Sequence, residues 1–195
     1  YAFSMVPFYT KWLDDIRDSQ REDGNVSDVC PAFWPFYSGS AVWPAVQTIV
    51  PNTFHEIYGD QRLSQRHYPG TAKWLQFQLK RRAADGLLPA DPYGDWCAPP
   101  KDPAIIHANS PDVVTDKQLV ANCYLAAQLG FAARMCPLAG KPEDAATWLA
   151  ARQDLTAALQ KKFWNADTAT FANGTQTSSI LPLAFDLVPA DARPA

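Results

Sequence analysis

The chain has 195 residues, enough for one domain with a substantial core. A net charge of −3 with 19% charged residues removes any electrostatic case for nucleic acid or an anionic membrane, and no apolar run reaches membrane-spanning length. Four cysteines without a CxxC pair argue against zinc, the three histidines are scattered, and no metal or other cofactor is expected.

Val6, Tyr9, Leu13 and Ile16 fall three or four residues apart and predict a first amphipathic helix. Val42, Val46, Ile49 and Thr53, with Ile57 a turn further, predict a second, kinked at Pro51. Tyr68, Ala72, Leu75 and Leu79 predict a third, preceded by Asp60 as its N-cap. The stretch "YGDWCAPP" (93–100) cannot be helical, because glycine and two prolines interrupt it. A fourth helix follows on Leu119, Cys123, Ala126, Gly130 and Ala133, small residues that let neighbours approach closely. Pro142 opens a fifth, with Glu143 and Asp144 at the positive end of its dipole and Trp148, Arg152, Leu155, Leu159 and Phe163 on one face. Residues 169–172 can pair briefly as a strand, and Ile180, Leu183, Ala184 and Leu187 suggest a short sixth helix. The opening "YAFSMVPFYT" lacks an initiator methionine and the closing "VPADARPA" reads as a connection, so a larger polypeptide is expected.

An internal repeat organises these helices. "KWLDDIRDSQREDG" (11–24) aligns with "KWLQFQLKRRAADG" (73–86) at an offset of 62 residues, and the same offset pairs Pro7 with Pro69 and Trp34 with Trp96. Each copy is a helix, a "DG" stop with a left-handed glycine just past the helix end, and a proline-rich loop carrying a tryptophan. Stacked helical hairpins form solenoids or toroids, and either one sends its loops to a common face. The loop tips offer Asp28, Trp34, Trp43, Tyr93, Asp95 and Trp96, and "FANGTQTSS" (171–179) adds Asn173, Gln176 and Thr177. Aromatics with acids and amides suit a neutral polyol better than a phosphate or a peptide.

Other residues read as structure. Trp12, Trp74, Trp148 and Trp164 are expected in packing, Asp14, Asp15 and Asp18 on a solvated helix face, and His55 and His67 on helix surfaces. Trp43 and Trp96, at helix–loop edges, suit packing and ligand contact equally. A disulfide between Cys30 and Cys97 is one reading of the loop cysteines; free buried thiols are preferred.

Four stretches in order, "FYTKWLDDIRDSQREDGNVSDVCP", "IVPNTFHEIYGDQRLSQRHYPGTAKWLQF", "GDWCAPP" and "FANGTQTSSILPLAFDLVP", resemble the catalytic domain of bacterial α-L-rhamnosidases of glycoside hydrolase family 78. The likeness covers essentially the whole chain. It implies an all-α (α/α)6 toroid of six helical hairpins, of which residues 1–195 supply about half, with the first hairpin motif and the last hairpins missing. It implies hydrolysis of terminal α-L-rhamnosides with inversion. The general acid, a glutamate in an "RE…GW.GDA"-like stretch, and the base, a later glutamate, are both expected outside this sequence, so no catalytic residue is assigned here and the isolated segment is expected to be inactive. The resemblance assigns substrate binding to Trp43, Asp95 and Trp96. Asp28, matching a "DVAP"-like aspartate, and Trp34 join them as candidates, although a structural role also fits Asp28. Pro44 and Ala45 stand where the family often has "GD", which puts the role of that acid in doubt. The implied partners are a rhamnosylated glycoside or oligosaccharide and the remainder of the same catalytic domain. Another (α/α)6 glycosidase and a non-catalytic helical-repeat binding module are the alternatives.

Overall fold

A computed structural model describes residues 5–96, 98, 102 and 113–192. Among them six α-helices carry nearly all the regular structure: α1 Val6–Ser19, α2 Val46–Tyr58, α3 Arg62–Lys80, α4 Lys117–Leu138, α5 Ala145–Phe163 and α6 Gln176–Ala184. A two-residue strand β1, Trp164–Asn165, pairs antiparallel with β2, Thr170–Phe171, close to the expected segment. The all-α class follows from the helical periodicity of the sequence. Short links at residues 59–61 and 139–144 make hairpins of α2 with α3 and α4 with α5.

Helix α4 is the hub. It packs against α2, α3, α5 and α6, and its buried residues run round its circumference, from Leu119, Val120 and Ala121 to Met135 and Cys136. Alanines and Cys123 along it let those neighbours approach. Asp116 starts the helix, its carboxylate accepting from the N–H groups of Gln118 and Leu119 at 2.8 and 3.0 Å. Trp74 and Leu75 of α3 and Leu155 and Leu159 of α5 are fully buried against this core. Trp148 is buried and donates to the Tyr68 hydroxyl at 3.0 Å, and the half-buried Trp164 leans on Phe171.

The second predicted stripe is on the wrong side of its helix. Val46, Ile49 and Thr53 are only half-buried and Ile57 is exposed, while Gln47, Thr48, Val50, Asn52 and Phe54 are buried. Neighbours satisfy part of that polar face, although the buried Gln47 amide nitrogen has no hydrogen-bond partner. Asn52 donates to the Thr48 and Phe131 carbonyls. Helix α2 runs without a break through Pro51. A proline there leaves the Gln47 carbonyl without its helical donor, and Thr71 Oγ1 on α3 points at that oxygen from 3.4 Å. His67 also departs from expectation. It is buried, with Nε2 3.6 Å from Asp14 Oδ1, and burial lowers its pKa to about 4. Asp60 is not the N-cap of α3, which is Gln61; it lies one residue earlier and bonds the N–H and guanidinium of Arg62.

The repeat is reproduced bond for bond. Helices α1 and α3 end at Ser19 and Lys80, so Gly24 and Gly86 lie a few residues further on, each in a closed turn rather than immediately past the helix. Arg21 N–H donates to the Asn25 carbonyl and Ala83 N–H to the Leu87 carbonyl; Gly24 donates back to Arg21 and Gly86 to Ala83. Asp23 accepts from the Asn25 N–H as Asp85 does from that of Leu87, and Gln20 and Arg82 bond the two glycine carbonyls. Both glycines are left-handed, at φ of 96° and 79°.

Their surroundings differ. A Cβ on Gly24 would sit 2.4 Å from the Lys73 carbonyl oxygen, whereas one on Gly86 would meet the flexible tip of Arg82 at 3.2 Å. Gly86→Ala is expected to cost about 1–2 kcal/mol for the left-handed backbone. Gly24→Ala is expected to cost at least about 1 kcal/mol more, because main chain cannot yield. Urea unfolding of the two variants checks the difference.

Side-chain and backbone bonds gather the three long connections at one end of the bundle. Residues 20–42 meet residues 81–96 through Ser40 and Asp91, and residues 113–116 meet residues 164–175 through the Val114 carbonyl and Asn173. That end carries the candidate site.

Candidate functional site

The centre of the site is a stack of three rings. Trp43 begins a 3-10 turn, Trp43–Ala45, that leads into α2. Its indole lies on the Tyr93 ring with centroids 4.1 Å apart and planes 14° from parallel. Trp96 leans over both, at 5.8 Å from Trp43 and 5.4 Å from Tyr93. Such offset stacks hold aromatic rings in a fixed plane. Trp43 remains 39% exposed and Trp96 58% exposed, so the stack presents indole surface to solvent rather than closing the core.

Two carboxylates belong to the same tip, Asp28 through a bond to Tyr93 and Asp95 as the chain neighbour of Trp96. Asp28 is buried, and its Oδ2 accepts a 2.7 Å hydrogen bond from the Tyr93 hydroxyl. Its other oxygen is buried with no hydrogen-bond partner. Burial, then the adjacent Asp28 carboxylate, push the Tyr93 hydroxyl up to about 12, so it stays a donor across the physiological range. Asp95 is half-buried and accepts from Thr115 Oγ1 at 2.7 Å. Thr115 is in turn 2.6 Å from Thr175 Oγ1, and Thr175 caps α6 by accepting from the Ser178 N–H. With Thr115 donating to Asp95, one directional chain runs from the start of α6 to the carboxylate.

Of the residues singled out in the sequence, Trp43, Asp95 and Trp96 therefore share one tip, and Asp28 reaches it through Tyr93. Trp34 does not join the stack. It is exposed and meets Phe33 edge-on at 4.9 Å. In the loop "FANGTQTSS", Asn173 donates to the Val114 carbonyl. Cys30 is a free thiol 3.2 Å from Ser19 Oγ, with its pKa raised by burial; Cys97 and His107 lie outside the described residues. Among the described residues no group of three or more His, Cys, Asp or Glu side chains could hold a metal ion, and no helix is long and apolar enough to cross a membrane.

One participant carried no signal in the sequence. Asp91 is buried and uses both oxygens on backbone and hydroxyl donors. Oδ1 accepts from the N–H groups of Tyr93 and Gly94 at 2.9 and 3.0 Å, and Oδ2 from Ser40 Oγ and the Ala41 N–H at 2.8 and 3.0 Å. Asp-x-Tyr-Gly is a recognisable turn, but nothing in it indicates the second loop.

The whole chain, residues 1–195, matches the bacterial α-L-rhamnosidase six-hairpin glycosidase domain. The α-L-rhamnosidase of Streptomyces avermitilis is 35% identical over 199 residues, which cover 100% of this chain and 17% of that protein. That of an Alteromonas species is 27% identical, covering 97% of this chain and 20% of the relative. The crystal structure of the S. avermitilis enzyme complexed with L-rhamnose superposes with a TM-score of 0.83 at 32% identity, over 97% of this chain and 17% of the other. The α-L-rhamnosidase from Dictyoglumus thermophilum gives 0.83 at 30% identity, over 97% and 21%. The chain thus spans about a fifth of the length of these relatives. A match along every residue, together with a shared helical architecture, places it within the bacterial α-L-rhamnosidase six-hairpin glycosidase family.

Proposed function

We propose that this chain forms the sugar-gripping wall of an inverting α-L-rhamnosidase catalytic domain. Six hairpins require twelve helices and the described residues supply six, so the chain stands for about half of such a barrel. The observation that carries the reading is the partly exposed Trp43–Tyr93–Trp96 stack, with Asp28 bonded to the Tyr93 hydroxyl and the half-buried Asp95 next to Trp96 in the chain. Rhamnose is a 6-deoxy sugar. Its C6 methyl and the C–H face of its ring gain from contact with indole, while its hydroxyls require an acceptor such as the half-buried Asp95. The S. avermitilis relative crystallised with L-rhamnose supports the same sugar here. Pro44 and Ala45 follow Trp43 directly and contribute no acid on that side.

Inversion needs one carboxylic acid to protonate the leaving oxygen and a carboxylate to activate water on the opposite face, roughly 6.5–9.5 Å away. In this reading both belong to hairpins outside these 195 residues. The full-length polypeptide should release L-rhamnose from an aryl α-L-rhamnoside. Proton NMR within the first turnovers should show the β-anomer ahead of mutarotation. Initial release of the α-anomer would overturn inversion, and no release would overturn the substrate class.

A further inference from the structure

We propose that Asp91 is the positioning residue that sets the ring platform, by tying the turn that carries Trp43 to the turn that carries Tyr93 and Trp96. The inference rests on the reading of that platform as the sugar wall. Two loops separated by 51 residues in sequence meet at this one carboxylate. One oxygen takes the N–H groups of Tyr93 and Gly94 and the other takes Ser40 and the Ala41 N–H. Ser40 passes the constraint on, since its Oγ accepts from the N–H of Val42 at 3.1 Å and faces that of Trp43 at 3.4 Å.

The far side of the same loop is anchored to the core. Gln128 on α4 donates to the Ala41 carbonyl at 2.8 Å and accepts from the buried Trp74 indole at 2.8 Å. Gln78 and Arg81 on α3 both donate to the Gly39 carbonyl. The Trp43 turn is therefore fixed to the helices, and Asp91 fixes the Tyr93 turn to it. A carboxylate suits the place because it accepts on both oxygens and donates on neither. Charge-assisted bonds to N–H groups are also shorter and stronger than neutral ones. An amide would present its own N–H to one of the two loops, either to the Ala41 N–H or to those of Tyr93 and Gly94.

The test is Asp91→Asn in the full-length enzyme, read by KM, kcat and circular dichroism. Closely stacked aromatic rings couple their transitions, and Trp43→Ala identifies the part of the spectrum that belongs to this stack. Asp91→Asn is expected to abolish that signal and to raise KM for an aryl α-L-rhamnoside about tenfold, with kcat within about twofold of wild type. Met135→Ala, a cavity near the C-terminal end of α4 and so away from the end where α4 begins beside the platform, should lower the unfolding midpoint while leaving the signal and KM intact. Ser40→Ala removes one bond to the same carboxylate, together with the acceptor for the Val42 N–H, and keeps the carboxylate's charge. It should give a smaller change of the same kind, and it carries the test if Asp91→Asn does not fold. An unchanged ring signal in these variants overturns the positioning role, whatever KM does. A lost signal with wild-type KM upholds the positioning role and overturns the sugar-wall reading beneath it.

Discussion

If the full-length polypeptide hydrolyses rhamnosides as proposed, its Trp96→Ala variant is expected to show KM for an aryl α-L-rhamnoside raised by a factor of about 5 to 150, with kcat near wild type. The factor corresponds to about 1–3 kcal/mol, the value of burying an apolar sugar face against an indole. Trp96 is the most exposed ring of the stack, at 58%, so its removal takes little from the core. Its unfolding midpoint should stay close to wild type. Trp43→Ala should behave differently. That ring lies flat on Tyr93 at 4.1 Å and starts the turn into α2, so its loss disorganises the platform as well as removing contact surface. Steady-state kinetics with both variants separate the two roles. Unchanged KM in Trp96→Ala would remove the ring from the sugar site.

The second large effect is an absence. Residues 1–195 expressed alone should show no turnover of the same substrate above the buffer rate. The carboxylates at the ring platform are arranged as acceptors. Asp28 takes a proton donor from Tyr93 and Asp95 takes one from Thr115, whereas a general acid must itself carry and deliver a proton. The isolated chain should also bind an apolar dye. Ile180 and Leu183 on α6, Phe8 on α1 and Ile57 on α2 are exposed, and a cleft of about 300 Å³ opens among Tyr9, Ile49, Phe54 and Tyr58. Measurable hydrolysis by the isolated chain would make one of the two platform aspartates a catalyst.

The helices and the platform were legible for different reasons. Burial with a period near 3.6 is written in side-chain type, and α1, α3 and α5 show it at Leu13, Leu75 and Leu155. Helix α2 misled because its apolar stripe faces an open cleft, while its buried face mixes Val50 and Phe54 with Gln47, Thr48 and Asn52, and bonds with Phe131 and Thr71 help to hold the polar groups there. A stripe reports where water is excluded only when the covering surface is present. His67 misled in a related way, since a polar residue on a helix reads as exposed until α1 packs over it with Asp14. At the site, Trp43, Asp95 and Trp96 were legible because aromatic and acidic residues at loop tips are chemically distinctive. Asp91 was not, because its partners are mainly backbone N–H groups, which every residue but proline supplies. Trp34 shares its repeat position with Trp96, yet it turns to Phe33, because register within a copy does not fix how a long loop folds back.

The twin turns after α1 and α3 bear on how such a domain grows. Their closure depends on main-chain groups, an aspartate and a glycine, and tolerates Gln20 against Arg82 and Asn25 against Leu87 at matching places. A duplicated gene segment can thus drift almost everywhere while its architecture persists. Gly24 is held more tightly than Gly86, since a side chain there would strike the carbonyl of Lys73 in the second copy, so the two copies also constrain one another.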